Sequence, residues 1–246
     1  MNTHKGLEVI GVIPARIGSE RLARKVLREI NGRILVEQVY RSAAACPLLK
    51  ELWVATDSEE VLGACRQRKI PALLTSPDHA SGTDRIYEVM TKKPAAIYVN
   101  IQGDEPLVRP EHLEALLKPF STEKEVRVST LKTKISDEAA KTPNVVKVVT
   151  DSHGWALYFS RSAIPFDRDG ARRRTLFKHL GFYAYTKEAL EKFHKLPPSS
   201  LEQAEKLEQL RFLENGVSIY VAETAFDTVG VDTEEDLKRA AALLAL

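Results

Sequence analysis

Short apolar runs alternate with helical spacing from the start of the chain. Residues 7–15 (LEVIGVIPA) form a β-branched run of the kind found in strands buried on both faces. Ile34, Leu35, Gln38, Val39 and Ser42 then fall at helical spacing, up to a break at Cys46-Pro47. A second strand is predicted at 52–56 (LWVAT), after which Asp57 or Ser58 caps a helix carrying Val61, Leu62 and Cys65 on one side. A third short strand follows at 71–75, then a helix from Thr83 or Asp84 to Met90 and a fourth strand at 95–101 (AAIYVNI). Pro110 suits the opening turn of a helix over 111–120. This alternation predicts an α/β fold with a doubly wound, mostly parallel sheet.

The middle third changes period. Residues 126–135 (VRVSTLKTKI), 145–150 (VVKVVT) and 156–159 (ALYF) read as strands with few helices between them. The turn signal Asp151-Ser152-His153-Gly154 makes 145–160 a hairpin, and the polar stretch 167–174 (DRDGARRR) reads as a loop. Helices are predicted at 187–196 and 201–214, a strand at 217–223 and a last helix at 233–246. With no internal repeat or low-complexity linker, the expectation is a single domain over 1–246, with a small subdomain around 155–185.

Composition narrows the function. An apolar content of 43% with 28% charged residues supports a packed core and excludes a disordered or collagen-like chain. A net charge of +2 gives no general attraction to nucleic acid or to an acidic membrane, so neither partner is expected. Any anion site must come from a local cluster. Cys46 and Cys65 cannot build a cysteine zinc site or a disulfide framework. No stretch reads as a signal peptide or approaches the roughly 18 apolar residues of a membrane helix, and the expected location is cytoplasmic.

Candidate chemistry gathers at the carboxyl ends of the predicted strands, where open α/β sheets bind ligands. Residues 14–25 (PARIGSERLARK) follow the first strand. Over 16–29, Arg16, Arg21, Arg24, Lys25 and Arg28 outnumber Glu20 and Glu29. Such a loop either wraps a polyphosphate with guanidinium forks and N–H groups or is simply a solvated basic loop. It has neither Walker nor dinucleotide spacing. Gln102-Gly103-Asp104-Glu105-Pro106 follows the fourth strand and offers hard oxygen ligands suited to magnesium. Gly230-Val231-Asp232-Thr233 precedes the last helix. Asp232 is either its N-cap, a role open equally to Thr233, or a second carboxylate on a shared cation. His153, His179 and His194 have no metal-ligand spacing, and no G-x-S-x-G elbow is present. Glu205, Glu208 and Gln209 fall on adjacent parts of one predicted helix, as in any charged amphipathic helix.

Nine segments, in order from residue 13 to 237, carry a more specific signal: IPARIGSERLARK, ATDSEEV, SGTDR, VNIQGDEP, PNVVKVV, ALYFSRSAIPFDRD, HLGFYAY, LEQAEKLEQLRFLENG and GVDTEEDL. Together they resemble the 3-deoxy-manno-octulosonate (Kdo) cytidylyltransferases, the CMP-Kdo synthetases. The resemblance implies a nucleotide-diphospho-sugar transferase-like fold with a small antiparallel dimerisation subdomain. It also implies a homodimeric enzyme that converts CTP and Kdo to CMP-Kdo and diphosphate with magnesium, in lipopolysaccharide synthesis. Carried over by position, it implies that Arg16, Arg21 and Lys25 hold the CTP phosphates and act in catalysis with Asp104. Ala15 and the Ser81-Gly82-Thr83 turn would frame the cytosine with Arg85 nearby, and Asp104 and Asp232 would bind magnesium. Gln102, Arg161, Arg168, His179, Tyr183, Glu208 and Gln209 would line the sugar pocket.

The chain departs from that pattern in two places. Arg21-Leu22-Ala23-Arg24-Lys25 stands where the family carries Arg-Leu-Pro-Gly-Lys, and SGTDR replaces SGTER. Arg24 then either adds a guanidinium to the triphosphate site or points into solvent. The departures also leave room for a related sugar, such as Kdo with an amino group at C8. A CMP-sialic acid synthetase would share the fold, but YFSRSAIPFDR and HLGFYAY argue against it.

Overall fold

The computed structural model describes residues 8–18, 22–123, 125–170 and 174–245. The chain forms two compact units, one of residues up to 114 together with those from 228 onward, the other of residues 115–227. In the first unit β1 (Val9–Pro14), α1 (Leu35–Ala44), β2 (Glu51–Thr56), α2 (Glu59–Gln67), β3 (Ala72–Leu74), α3 (Gly82–Lys92) and β4 (Ile97–Asn100) follow the expected alternation. The strands lie in the order β4-β1-β2-β3, all parallel, with Ile10 opposite Glu51 on one side and Tyr98 on the other. Val12 and Ile13 of the central β1 are wholly buried, which is why the run is apolar without alternation. Ser58 rather than Asp57 caps α2, accepting from Val61 N at 3.4 Å. Ser81 caps α3, which therefore starts at Gly82.

The chain returns to this unit at residue 228 and ends in a helix, Glu234–Leu244. Thr233 caps it in a reciprocal box with Asp236, so Asp232 is relieved of the capping role. Leu22, Ile30 and Leu35 pack with Val231, Leu237 and Ala240 in one buried cluster. Burying each leucine contributes roughly 1.5–3 kcal/mol, enough to seat the helix beside the turn that follows β1.

In the second unit β5 (Val128–Ile135) is flanked by β8 (Leu176–Thr186), antiparallel, and β9 (Tyr220–Glu223), parallel, and α4 (Lys187–Lys195) follows β8. The expected hairpin is β6 (Lys147–Thr150) with β7 (Ala156–Ser160). The eleven-residue β8 is absent from the sequence-based reading. A register shift between Leu180 and Tyr183 breaks its two-residue alternation, so no strand period shows. The predicted helix over 201–214 is also corrected. It splits into α5 (Ser200–Glu205) and α6 (Leu210–Glu214), because Lys206 adopts the left-handed conformation at φ 54°. The buried Arg211 guanidinium donates to both oxygens of Glu202, at 2.7 and 2.5 Å, and ties the two pieces together. Glu205 is thus not on one helix with Glu208 and Gln209. Among the described residues no helix is long and apolar enough to cross a membrane.

Leu237→Ala is expected to cost about 2–4 kcal/mol of unfolding free energy in a urea titration. A loss below about 1 kcal/mol would mean that the cluster does not seat the terminal helix.

Candidate active site

The loop after β1 is held from beneath. Ala15 is wholly buried and its N–H donates to the Ala55 carbonyl at 2.8 Å. Ile17 N–H donates to Asp57 Oδ1 at 3.2 Å, and Asp57 Oδ2 accepts from Arg85 at 3.1 Å. Arg85 is completely buried, and its guanidinium also donates to the Ser76 carbonyl at 3.2 Å and to the Thr75 hydroxyl. Burial lowers the Arg85 pKa; Asp57 opposes that shift, and the nearby charge of Arg16 adds to it. A guanidinium remains charged in such surroundings. Arg85, which the resemblance implies near the base, therefore acts in this structure as a strut beneath the loop. Asp57 was read only as a possible helix cap. Its place at the carboxyl end of a strand, in ATDS, was the usable signal. Arg16 is exposed on the loop, and Arg21 lies outside the described residues.

The two acidic turns meet. A Cβ at Gly103 would stand 2.6 Å from the Pro14 carbonyl oxygen, so only glycine lets the 102–105 turn lie against the end of β1. Val231 N–H donates to the Asp104 carbonyl at 2.8 Å, and the Thr228 hydroxyl donates to Glu105 at 2.6 Å. These bonds bring the carboxylates of Asp104 and Asp232 onto one ammonium: Lys25 Nζ lies 2.6 Å from Asp104 Oδ2 and 2.9 Å from Asp232 Oδ1. Burial opposes the Lys25 charge, but Asp104 and then Asp232 outweigh it and raise its pKa. Among the described residues no third His, Cys, Asp or Glu joins the pair into a closed metal cage. Two hard carboxylates converging on a cation position, with the remaining coordination left to phosphate and water, fit magnesium. Glu105, the other acid of that turn, is engaged by Thr228 instead.

The remaining basic residues disperse. Arg24 sits in the left-handed region at φ 54°, ψ 34°, and its guanidinium pairs with Glu60 on α2, both side chains exposed. In this structure Arg24 thus faces α2. Arg28 donates to both oxygens of Glu234, at 2.8 and 2.7 Å. Ser81 and Thr83 are buried in the first turn of α3, and Ser81 Oγ donates to Asp84 at 2.9 Å, which gives the shorter acid of SGTDR a local use. Asn100, at the end of β4, was missed. Its buried Oδ1 has no hydrogen-bond partner, and its Nδ2 lies 3.9 Å from the Cβ position of Gly82. An asparagine closing an apolar strand was the available signal.

In the second unit His179, Tyr183 and Tyr185 form a ladder of rings, with centroids 5.4 and 5.7 Å apart. His179 Nε2 meets Thr130 Oγ1 at 2.9 Å. Thr130 gives its one hydrogen to a carbonyl, that of Phe182 at 2.7 Å, so the imidazole donates. Burial, and then Lys178, push the His179 pKa down to about 3. Tyr183 is buried and its Oη has no hydrogen-bond partner; the adjacent Thr130 hydroxyl is committed elsewhere. Burial, Tyr185 and Glu208 raise the Tyr183 pKa well above the usual tyrosine value, so its hydroxyl stays protonated. Gln209 Nε2 is likewise buried without a partner. Arg161, which the resemblance implies for the sugar pocket, has backbone partners in this structure. Its guanidinium donates to the carbonyls of Glu205, Pro143 and Lys206 at 2.7, 3.2 and 3.3 Å, which fastens the turn between α5 and α6. Arg168 is exposed, and Gln102 belongs to the first unit.

Two outcomes follow from this geometry. Arg24→Gly removes a side chain from a left-handed position and is expected to change stability by no more than about 1 kcal/mol, in the favourable direction, in a thermal melt. CTP affinity should stay within about twofold, as for a surface residue, and a larger loss by calorimetry would return Arg24 to the phosphate site. His179 refuses a proton that the unfolded chain accepts below pH 6.5. Stability therefore falls as the pH drops from there toward about 5, with a slope approaching 1.4 kcal/mol per pH unit, and His179→Phe should flatten the profile. Identical slopes for both proteins would contradict the neutral imidazole.

A family model described as Cytidylyltransferase matches residues 10–219. The chain is 56% identical over 238 residues to a 3-deoxy-manno-octulosonate cytidylyltransferase of Koribacter versatilis, covering 97% of this chain and 90% of that protein. It is 55% identical to the same-named protein of Acidobacterium capsulatum, covering 97% of each chain. A solved CMP:2-keto-3-deoxy-manno-octonic acid synthetase complexed with CTP superposes with a TM-score of 0.93 at 44% identity, covering 97% of this chain and 98% of that one. A 4-diphosphocytidyl-2C-methyl-D-erythritol synthase from Anaerococcus prevotii, at 14% identity and a TM-score of 0.65 over the full length of both chains, shares the fold.

Proposed function

The chain belongs to the 3-deoxy-manno-octulosonate cytidylyltransferases, and from that membership we propose that it transfers CMP from CTP to Kdo with release of diphosphate. The observation that carries the site assignment is the convergence of Asp104 and Asp232 on one cation position, 2.6 and 2.9 Å from Lys25 Nζ. Asp104 and Asp232 would hold magnesium. When bound there, the ion offsets charge on the α-phosphate and on the departing diphosphate.

The chain's own groups supply the rest. Arg16, Lys25 and Arg21 take the phosphates as guanidinium and ammonium donors. The Arg85–Asp57 strut fixes the loop amide at Ile17, so phosphate meets a preorganised backbone. The Ser81–Thr83 turn and the orphan amide of Asn100 suit the base, with Ala15, its N–H already used, contributing only buried surface and its carbonyl. On the sugar side, Tyr183 Oη, Gln209 Nε2, His179 and Glu208 of the second unit present donors and acceptors to hydroxyls. With Arg161 committed to backbone carbonyls, Arg168 is the arginine for the Kdo carboxylate. A sugar hydroxyl oxygen bonds to the α-phosphorus as the α–β bridge breaks. Diphosphate and the hydroxyl proton are released, and positioning supplies much of the acceleration.

Phe166 at 84% exposure and Leu157 at 63% support a homodimer that covers apolar surface in the second unit. The near-zero net charge supports small molecules, rather than nucleic acid or membrane, as partners of an enzyme in the cytoplasm.

Diphosphate release should require CTP, Kdo and magnesium, and should be far slower with N-acetylneuraminate; a preference for Kdo aminated at C8 would reassign the sugar. Asp232→Asn is expected to lower kcat by at least about 100-fold, the scale of losing a transition-state charge partner, without changing the melting temperature. Near-normal turnover of Asp232→Asn at saturating magnesium would remove it from the ligand set.

A further inference from the structure

We infer that Lys25 is also a gate: its ammonium occupies the cation position between Asp104 and Asp232 until a triphosphate draws it away, so that a divalent ion enters with the nucleotide and not before it. The inference rests on the reading of this pair as metal ligands. It adds an order of binding and gives that order to one side chain.

Two carboxylates held this close repel unless a cation stands between them. Lys25 already supplies one, at 2.6 and 2.9 Å, with its side chain only 13% exposed. The backbone beneath it is fixed. Lys25 opens a short 3-10 turn, Lys25–Leu27, in which Val26 is buried and Arg28 N–H donates back to the Lys25 carbonyl at 3.0 Å. What can move is the flexible four-carbon stem. The nearby guanidiniums cannot take its place, because Arg28 is clamped on Glu234 and Arg24 on Glu60.

A free divalent ion must shed strongly held water and also expel an ammonium that is desolvated and paired to both carboxylates. Expelled alone, that ammonium would leave two hydrogen bonds for bulk water. A triphosphate changes the balance, since its oxygens accept the same three N–H donors. Lys25 then loses nothing by swinging away, and the carboxylates are left facing a ligand that itself favours a divalent ion.

The test is Mn2+ binding to the metal-stripped full-length protein, read from the electron paramagnetic resonance signal of free Mn2+. Without nucleotide, the wild type should bind Mn2+ more weakly than Lys25→Met by on the order of tenfold, the effect of removing one desolvated competing charge. Lys25→Arg, which keeps a charge, should stay weak, and adding Asp104→Asn to Lys25→Met should abolish the gain. With the wild type, added CTP should remove more free Mn2+ than the same CTP removes without protein. Equal affinity of wild type and Lys25→Met for Mn2+ alone overturns the gate. If neither Lys25→Met alone nor the wild type with CTP binds Mn2+ beyond what CTP binds by itself, the metal reading of the pair fails and the gate with it. A wild-type measurement guards against a variant that does not fold. The ammonium nitrogen resonance of Lys25 should persist in millimolar Mg2+ and shift when CTP is added. Its displacement by Mg2+ alone overturns the proposal.

Discussion

The first unit is organised around a repulsion. Asp104 and Asp232 come from distant parts of the chain, and two carboxylates do not approach a common point unless the backbone compels them and a cation compensates. The compulsion is visible in ordinary contacts. Gly103 lets one turn close on the Pro14 carbonyl, and Val231 N–H reaches across to Asp104. The Thr233 box caps the terminal helix and so leaves Asp232 to the cation. The Leu22–Leu35–Leu237 cluster pays for holding that helix in place. Compensation comes from Lys25, whose raised pKa records how strongly the pair wants a positive charge.

The basic residues around this pair do different work although they look alike in sequence. Arg85 is buried on Asp57 and supports a loop amide; a buried ion pair of this kind contributes more to geometry than to stability. Arg28 and Arg24 lock onto glutamates of neighbouring helices, and Arg16 is exposed at the loop. A count of charges therefore says little about what this loop can bind. What distinguishes these side chains is which acceptor lies within reach of each.

The second unit is organised around unpaired polar atoms in an aromatic setting. Tyr183 Oη is buried without a partner beside an imidazole kept neutral by burial, and Gln209 Nε2 is likewise buried without one. Unpaired buried groups of this type each carry a desolvation cost in the free protein. Their position depends on irregularities: the register shift in β8, which resets the side chains after Leu180, and the left-handed Lys206, which ends α5 ahead of Glu208 and Gln209.

Much was legible in the sequence because it was local. The apolar runs of β1, β2 and β4 depend on neighbours a few positions away and read correctly, while for the caps of α2 and the last helix the sequence offers two candidates each, of which Ser58 and Thr233 serve. The nine ordered segments carried the family, and with it the chemistry. A strand with a register shift has no clean period, so β8 did not show, and a helix pattern continued through Lys206 because nothing in composition marks a left-handed residue there. The fates of Arg24, Arg85 and Arg161 were beyond reach for a different reason. A guanidinium's role is set by its acceptor, and Glu60, Asp57 and the carbonyls of Pro143 and Glu205 are brought to these residues by packing. Sequence determined which charges exist and on which elements they ride; only the tertiary structure decided which of them were already spent, because pairing depends on distance through space and not along the chain.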